Sequence, residues 1–251
     1  MSRRVAMDLH VHSALSPCGS EEMRPPAVLL TAERRGIAVL GVVDHSSAAN
    51  APAFLAAAQA FEVRVLVGLE IESAEGVHIL ALFDTAEGAL EMDAVVAGHL
   101  PHLANRREIL GAQFVVDEMG KVVGEEERLL IAATDLAIEH IAELTLERGG
   151  LSIPAHIDRP ANGLLPTLGF VPPDLRVDLF EVSPHLTRTD ARTQWPELAG
   201  RALVSSSDAH FLESIGRSVT WAPAELARRE LPLAEWAARL AEGLRGHDDD
   251  E

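Results

Sequence analysis

Two pairs of potential metal ligands occur near opposite ends of this sequence with the same spacing. His10 and His12 form an H-x-H element in an apolar segment close to the first residue. In an extended strand, residues two apart point to the same face, so both imidazoles could reach one metal ion. Asp208 and His210 repeat this spacing after the apolar run 202–204. Two such pairs, each at the tip of an apolar strand, predict a metal site rather than a set of core histidines.

Further ligand-type side chains lie at the ends of other predicted strands. Of the eleven histidines, six lie at such a position or beside one, together with Glu70 and Asp208. The six are His10, His12, His45, His78, His156 and His210. Cys18 lies on the loop after the first strand. Imidazole, carboxylate and thiolate are the ligands expected for zinc, iron or manganese.

The elements that must position these side chains follow a repeating pattern. Buried strands are predicted at 8–13, 37–43, 63–69, 77–83, 151–155, 177–182 and 202–206. Helices are predicted at 25–36, 52–61, 129–148, 223–230 and 232–244. Strands that alternate with helices are typical of βαβ units and a parallel sheet. In α/β barrels the chemistry lies at the carboxyl ends of the strands, where most of the polar residues fall.

Residues 84–128 interrupt this pattern. A helix is predicted over 87–110, broken at Pro101, and a β-hairpin is predicted from 114–116 and 121–123. We interpret the segment as an insertion on the barrel rim that serves either as a packing or dimer element or as a lid over the site. The chain is thus predicted as a single domain over 1–246 with an acidic, disordered tail at 247–251.

Composition restricts the surroundings and the partners of the protein. The formal charge is −18, which argues against long nucleic acid and against an anionic membrane surface. No apolar run approaches the ~20 residues needed to cross a membrane, and no signal peptide is visible. The single cysteine fits a reducing compartment, so we expect a cytoplasmic protein. The pattern leaves the oligomeric state open.

The ordered motifs resemble those of the PHP-domain (polymerase and histidinol phosphatase) metal-dependent phosphoesterases. They are His10-Val11-His12, Asp44-His45, Gly68-Leu69-Glu70, Pro154-Ala155-His156-Ile157-Asp158-Arg159 and Asp208-Ala209-His210. The resemblance covers residues 8–210. It implies an α/β fold, namely a distorted (β/α)7 TIM-like barrel with the helix and hairpin insertion described above. It also implies hydrolysis of a small phosphorylated substrate with two or three divalent metal ions.

The resemblance also implies a ligand set. The first metal would take His10, His12, Glu70 and Asp208, and Glu70 would bridge to a second metal bound by His78 and His156. A third would take His45, His210 and the residue at position 18. Cys18 is a departure there, because the family usually supplies histidine or aspartate from this loop. A thiolate favours zinc or ferrous iron.

The predicted catalytic residues are Glu70, Asp208 and Arg159. An arginine fork matches phosphate geometry best, and Arg159 is the first candidate, ahead of Arg188 and Arg217. Glu181 could orient a ligand or a water, or could be a structural acid. Asp44 is expected to orient His45 or a neighbouring ligand rather than to bind metal.

Two other functions are compatible with part of the pattern. An amidohydrolase-type enzyme shares the H-x-H element, but that class often uses a bridging carboxylated lysine. The only lysine here, Lys121, lies in the predicted hairpin. A metal-stabilised binding module without catalysis is the other alternative. Such degenerate chains usually lack ligands, whereas this chain keeps eight of nine.

Overall fold

The computed structural model describes residues 3–245, and the predicted tail 247–251 lies outside the described residues. Ten strands form within this range. They are β1 Arg4–Val11, β2 Ile37–His45, β3 Arg64–Glu72, β4 His78–Phe83, β5 Phe114–Val116, β6 Val122–Glu125, β7 Leu151–Pro154, β8 Leu179–Val182, β9 Ala202–Ser205 and β10 Thr220–Pro223.

The strands form a curled mixed sheet that makes a half-barrel. The main sheet has the order β10-β1-β2-β3-β4-β7, and β8 pairs in parallel with β9. A parallel bridge between Val11 and Ala209 connects the end of β1 to the segment after β9. The predicted α/β barrel class is therefore confirmed, and all seven predicted barrel strands form.

The sheet is not parallel throughout, in contrast to the sequence interpretation. β1, β2 and β3 are parallel, but β4 is antiparallel to both β3 and β7. Only residues 73–77 connect β3 to β4, too few for the helical crossover that a parallel neighbour needs. β10 was not predicted and adds an antiparallel edge beside β1.

Eight α-helices are described in the same range. They are α1 Pro25–Arg34, α2 Ala51–Ala57, α3 Ala86–His99, α4 Arg107–Leu110, α5 Ile138–Glu147, α6 Leu164–Leu168, α7 Arg188–Gln194 and α8 Leu233–Leu244. Short 3₁₀ helices occur at Ala58–Ala60, Pro196–Leu198, Leu212–Ser214 and Ala224–Ala227. The last helix, α8, buries Leu233, Trp236 and Leu240, one face of an amphipathic helix, against the sheet.

Three predicted helices have different bounds in the structure. The helix predicted at 129–148 begins only at Ile138, because backbone hydrogen bonds hold residues 129–137 as an irregular arm. Thr134 N donates to Glu72 O at 2.9 Å, and Asp135 N donates to His99 O at 3.2 Å. The helix predicted at 87–110 ends at His99 and resumes only as the single turn α4. The segment 223–230 is the end of β10 and a 3₁₀ helix.

The insertion packs on the loop that follows the first H-x-H element. The predicted hairpin forms as β5 and β6, and its turn requires Gly120, whose φ is +79°. Phe114 N donates to Ala14 O at 2.8 Å, and Val116 N donates to Asn50 Oδ1 at 2.9 Å. These contacts support the packing interpretation of the insertion. Its role as a lid stays a prediction.

No helix among residues 3–245 is long and apolar enough to cross a membrane.

Candidate metal centre

The candidate ligands meet at one edge of the curled sheet. Parallel β1, β2 and β3 bring their carboxyl ends there, and His45 is the direct partner of Glu70 in the β2–β3 register. Because β4 is antiparallel, its first residue, His78, reaches the same edge opposite Glu72. The remaining ligands follow β7 and β9 and are His156, Asp208 and His210. Strand direction and register thus bring residues far apart in sequence to one edge of the sheet.

The position of Glu70 depends on a close approach of β3 to β4. A Cβ at Gly68 would lie 1.8 Å from the carbonyl oxygen of Ala81, so only glycine permits this packing. Glu70 follows two residues later, on the same face of the strand. The close packing of β3 against β4 therefore explains why the Gly68-Leu69-Glu70 motif has glycine at its first position.

Eight of the nine predicted ligands form three groups, two of which share His12. Within each group the ligand atoms lie within 4.8 Å of one another. The groups are His10, His12 and Asp208; Glu70, His78 and His156; and His12, His45 and His210. Zinc–ligand bonds are roughly 2.0–2.3 Å long, so atoms at such separations could share an ion after small adjustments.

Glu70 is the centre of this arrangement. Its side chain is only 2% exposed, and five imidazole nitrogens lie within 3.5 Å of its carboxylate. Three of them face Oε1, namely His78 Nδ1 at 2.7 Å, His156 Nε2 at 3.1 Å and His10 Nε2 at 3.5 Å. The other two face Oε2, namely His45 Nδ1 at 3.1 Å and His12 Nε2 at 3.4 Å.

The packing of the imidazoles fits metal ions. His10 Nε2 lies 3.2 Å from His12 Nε2, and the ring of His12 lies 4.0 Å from that of His210. His10 and His12 are fully buried. Buried nitrogens that face one another have little water to hydrate them, and shared cations would satisfy their lone pairs. The donor set of imidazoles and carboxylates is that of zinc, iron or manganese centres.

The electrostatics keep both carboxylates ionised. Burial disfavours the charge of Glu70, but His78 and His10 hold its pKa well below the usual range. Burial opposes the charge of Asp208 too, and His10 lowers its pKa. Burial and His12 lower the pKa of His210 to about 4. Against the effect of burial, Glu70 raises the pKa of His78 to about 9. Carboxylates that are already deprotonated can bind a metal without releasing a proton.

Glu181 is in contact with two ligand residues. Its Oε2 lies 2.9 Å from His10 Nδ1 and accepts a hydrogen bond from the backbone N–H of His156 at 3.1 Å. A carboxylate on Nδ1 fixes the imidazole so that Nε2 points to the centre. These contacts fit a role for Glu181 in orienting a ligand, which stays a prediction.

Asp44 acts on His12 through Ser16. Ser16 Oγ donates to Asp44 Oδ1 at 2.7 Å and lies 2.9 Å from His12 Nδ1. It also accepts from the backbone N–H of His45 at 3.2 Å. Asp44 further accepts from the N–H and the hydroxyl of Ser13 at 2.7 and 2.6 Å. The expectation that Asp44 orients a neighbouring ligand therefore fits this geometry.

Sequence reasoning missed two carboxylates, Glu72 and Asp8, that contact a candidate ligand or the segment that carries one. Glu72 Oε2 lies 3.6 Å from His78 Nε2. Asp8 accepts from the N–H and the hydroxyl of Ser207 at 2.9 and 2.6 Å and so holds the segment before Asp208. Burial raises the pKa of Asp8 to about 6. Their alternation with ligands, as in Asp8-x-His10 and Glu70-x-Glu72, is the pattern that could have identified Asp8 and Glu72.

Cys18 is not part of the three groups among the described residues. Its side chain is exposed. Partial removal from water and the negative charge of Glu70 raise the pKa of its thiol to about 12. A metal ion would have to lower this pKa before the thiolate could bind. Cys18 as the ninth ligand stays a prediction.

Of the three candidate arginines, Arg159 lies at the centre. Its Nη1 donates to Asp208 Oδ2 at 2.7 Å, and its side chain is 39% exposed. Arg188 is buried and donates to the carbonyl oxygen of Leu203 in β9. Arg217 donates to the carbonyl oxygen of Glu213. Arg159 is therefore the arginine that could reach both a ligand and a substrate.

Comparison of the sequence with family models identifies the class. The PHP domain model matches residues 8–144, more than half of the chain. The chain belongs to the PHP domain family of metal-dependent phosphoesterases. No curated protein matches this sequence.

Solved structures support the fold. A lesion-specific endonuclease, PfuEndoQ from Pyrococcus furiosus, superposes with a TM-score of 0.67 at 20% identity, over 92% of this chain and 56% of that chain. This chain therefore spans little more than half of the endonuclease. A putative metal-dependent phosphoesterase from Bifidobacterium adolescentis gives 0.56 at 16% identity, over 81% and 87% of the two chains. An amidohydrolase from Chromobacterium violaceum gives 0.58 at 20% identity, over 84% and 89%.

Proposed function

We propose that the protein hydrolyses phosphoesters of small phosphorylated metabolites or nucleotides with the help of two or three divalent metal ions. The observation that carries this proposal is the set of three ligand groups, five of whose imidazoles lie within 3.5 Å of the buried Glu70 carboxylate. When bound, such ions supply an activated water at neutral pH and neutralise the phosphoryl oxygens. Zinc, iron and manganese all match the donor types. The single cysteine fits a reducing compartment, and we propose a cytoplasmic location.

The chain's own residues have distinct roles in this proposal. Glu70 would bridge two ions, because its two oxygens face different imidazoles. Asp208 would complete the group of His10 and His12. Cys18 is the proposed ninth ligand, from the loop next to the His45 and His210 group.

Arg159 is the proposed phosphate-binding residue. In the structure its guanidinium holds Asp208 Oδ2. A carboxylate that coordinates a metal is a weaker partner for the arginine, so the second edge of the guanidinium could bind a phosphoryl oxygen. A guanidinium fork suits that geometry better than an ammonium group does.

Two alternative activities have specific observations in their favour. Cleavage of nucleic acid is supported by the fold shared with the endonuclease, but the formal charge of −18 opposes binding of a long polyanion. Amide hydrolysis is supported by the fold shared with the amidohydrolase. The only lysine, Lys121, follows the hairpin turn and is exposed, so no carboxylated lysine would bridge this centre.

The test is phosphate release by protein of known metal content. The panel should contain phosphomonoesters, nucleotides, a short single-stranded oligonucleotide, amides and lactones. We expect release from one class of small phosphoester and loss of that activity in Glu70→Gln. Glu143→Gln is the matched control, since Glu143 is exposed on α5. Full metal content without hydrolysis of any phosphoester would contradict the proposal and favour a binding module.

A further inference from the structure

A cleft of about 190 Å³ opens directly beside the metal centre. Two of its walls are the ligands His45 and His78, which belong to different ligand groups. The other lining residues are Ser46, Glu72, Leu130, Ile131 and Asn162. A substrate whose phosphoryl group lies on the centre would therefore have this cleft next to it.

Backbone conformation connects the cleft to the centre. Among residues 3–245, four non-glycine residues have a positive φ. Two are ligands, His156 at +28° and Asp208 at +50°. The other two, Ser46 at +43° and Asn162 at +62°, line the cleft. Such conformations cost roughly 1–3 kcal/mol each and concentrate at functional sites. The backbone is therefore strained at the centre and at the cleft alike.

Backbone hydrogen bonds hold both strained cleft residues against ligand-bearing strands. Ser46 N donates to Glu70 O at 2.9 Å, and His78 N donates to Asn162 O at 2.9 Å. The cleft wall thus has a fixed position relative to the ligands. Preorganised walls of this kind are typical of substrate sites.

The lining has a one-sided charge. Among the described residues that line the cleft, Glu72 is the only charged side chain apart from the two histidines, and there is no lysine or arginine. Its carboxylate is 25% exposed and can accept hydrogen bonds from a hydroxyl or an ammonium group. Leu130 and Ile131 add an apolar wall. An anionic group in the cleft would face Glu72, and the described lining supplies no arginine or lysine to offset that repulsion.

The size of the cleft restricts the occupant further. Pockets for drug-sized ligands have roughly 300–1,000 Å³, so about 190 Å³ suits a smaller group.

We propose that this cleft binds the leaving alcohol of the substrate and selects small, hydroxyl- or amine-bearing alcohols without negative charge, with Glu72 as the residue that rejects anions. This inference rests on the proposed phosphoesterase activity and narrows its substrate class. Phosphomonoesters of a neutral or cationic alcohol are then substrates, whereas esters with a second anionic group on the alcohol are poor ones.

Three esters of similar size test the proposal: glycerol phosphate, ethanolamine phosphate and phosphoglycerate. We expect kcat/KM of the wild type to be on the order of tenfold lower for phosphoglycerate than for the other two. Glu72→Gln should reduce that preference at least threefold. Because the three esters present the same phosphate to the same centre, the ratio within one variant is unaffected by changed metal content. Glu143→Gln should keep the wild-type ratio.

Two further measurements make the test independent of turnover. Titration calorimetry of the same esters with manganese-loaded protein should give weaker binding of phosphoglycerate than of the other two, even if none is hydrolysed. Ile131→Trp should fill the cleft and raise KM for all three esters, while Leu90→Trp, an equally exposed position on α3, should not. Equal kcat/KM and equal affinity for the three esters, or an unchanged ratio of kcat/KM values in Glu72→Gln, would overturn the inference. Absence of hydrolysis with the expected binding order would instead overturn the proposed activity.

Discussion

At the scale of single residues, the centre depends most on one carboxylate. Glu70 is buried and, among residues 3–245, is the only carboxylate within 3.5 Å of the imidazoles of both His78 and His156. We expect Glu70→Gln to keep the shape, to lose the bridging charge and to bind fewer metal ions. Activity should fall about 100-fold or more, beyond the loss typical of residues that only orient a ligand. Metal analysis measures the number of bound ions, and kcat measures the loss of activity. Near-normal metal content in Glu70→Gln would contradict the bridging role.

We expect a different effect at Glu181, because it contacts His10 and the backbone of His156 but is not itself a member of any of the three ligand groups. We expect Glu181→Ala to weaken metal binding about 10- to 100-fold, and Glu181→Gln to weaken it less, since the amide oxygen can still accept both hydrogen bonds. Chelator competition measures the affinity. The ¹⁵N shifts of the His10 ring should show loss of a single tautomer in Glu181→Ala only. A fixed tautomer in that variant would exclude the orienting role.

Ser16 connects Asp44 to His12, although its hydroxyl would not bind metal. We expect Ser16→Ala to leave His12 Nδ1 and Asp44 Oδ1 with one partner fewer, at a cost of about 1–3 kcal/mol in stability. Metal affinity should fall about tenfold, as for other outer ligand contacts. Urea unfolding and chelator competition test the two effects. Ser20→Ala, on the same loop, is the control, because the Ser20 hydroxyl accepts only an exposed contact from Glu22 N.

At the scale of secondary structure, the strands were predictable and some helices were not. The buried strands are visible as apolar runs that end in polar residues, such as Val63 to Glu70, because strand tips carry the ligands. The arm 129–137 has a helical apolar pattern, yet Thr134 and Asp135 donate to carbonyl oxygens of distant elements, and a helix would break those bonds. This arm supplies Leu130 and Ile131 to the cleft beside the centre. The helical preference of this segment is thus overridden by tertiary hydrogen bonds next to the candidate site.

The candidate ligands could be proposed from the sequence for a related reason. A ligand pair on one strand, such as His10 and His12, is visible in sequence because the strand repeat is two residues. Contacts between strands are not visible in this way. The neighbours of Glu70 and the relay through Ser16 depend on register and on the antiparallel direction of β4. The place of Cys18 depends on a loop conformation, which has no periodic pattern.

The insertion gives a prediction at this scale. Asn50 donates to the carbonyl oxygen of Phe114 and to Ser13 Oγ, both at 3.0 Å, and accepts from Val116 N. We expect Asn50→Ala to reduce the free energy of unfolding by about 2–4 kcal/mol, because two buried backbone groups lose their partners. If the hairpin is a packing element, KM should stay within about twofold of the wild type.

Urea unfolding and steady-state kinetics of Asn50→Ala distinguish the two interpretations of the insertion. Gln59→Ala is the control, since Gln59 is exposed and bonds only within its own helical segment. A large rise in KM with little loss of stability would favour a lid.

At the scale of the whole molecule, the net charge restricts the possible partners. The fold is similar to that of a lesion-specific endonuclease, but 39 acidic against 21 basic residues give this chain a repulsive field for nucleic acid. Attraction of a phosphate then has to come from the centre itself, over a short distance. A small ester can enter such a field, because screening at physiological salt limits the repulsion to about 8 Å. A long polyanion would experience it over its whole length.

Metal binding should also stabilise the whole half-barrel. The ligands come from the tips of β1, β2, β3 and β4 and from the segments after β7 and β9. β9 pairs with β8 in a separate two-stranded sheet, so ions held jointly by residues 10, 12 and 208 would tie the two sheets together. Ligands that bind only the folded state stabilise it by about 2.7 kcal/mol at 100 times Kd.

We therefore expect a chelator to lower Tm and added zinc or manganese to restore it. Hydrogen exchange should report the loss first in β8 and β9, because the group of His10, His12 and Asp208 adds a link between β1 and the segment after β9 beside the bridge of Val11 and Ala209. Glu70→Gln should show a much smaller metal-dependent shift in Tm, whereas Glu143→Gln should behave as the wild type does. A Tm independent of metal in the wild type, with metal bound, would mean that the sheets are held together without the ions and that the centre serves chemistry alone.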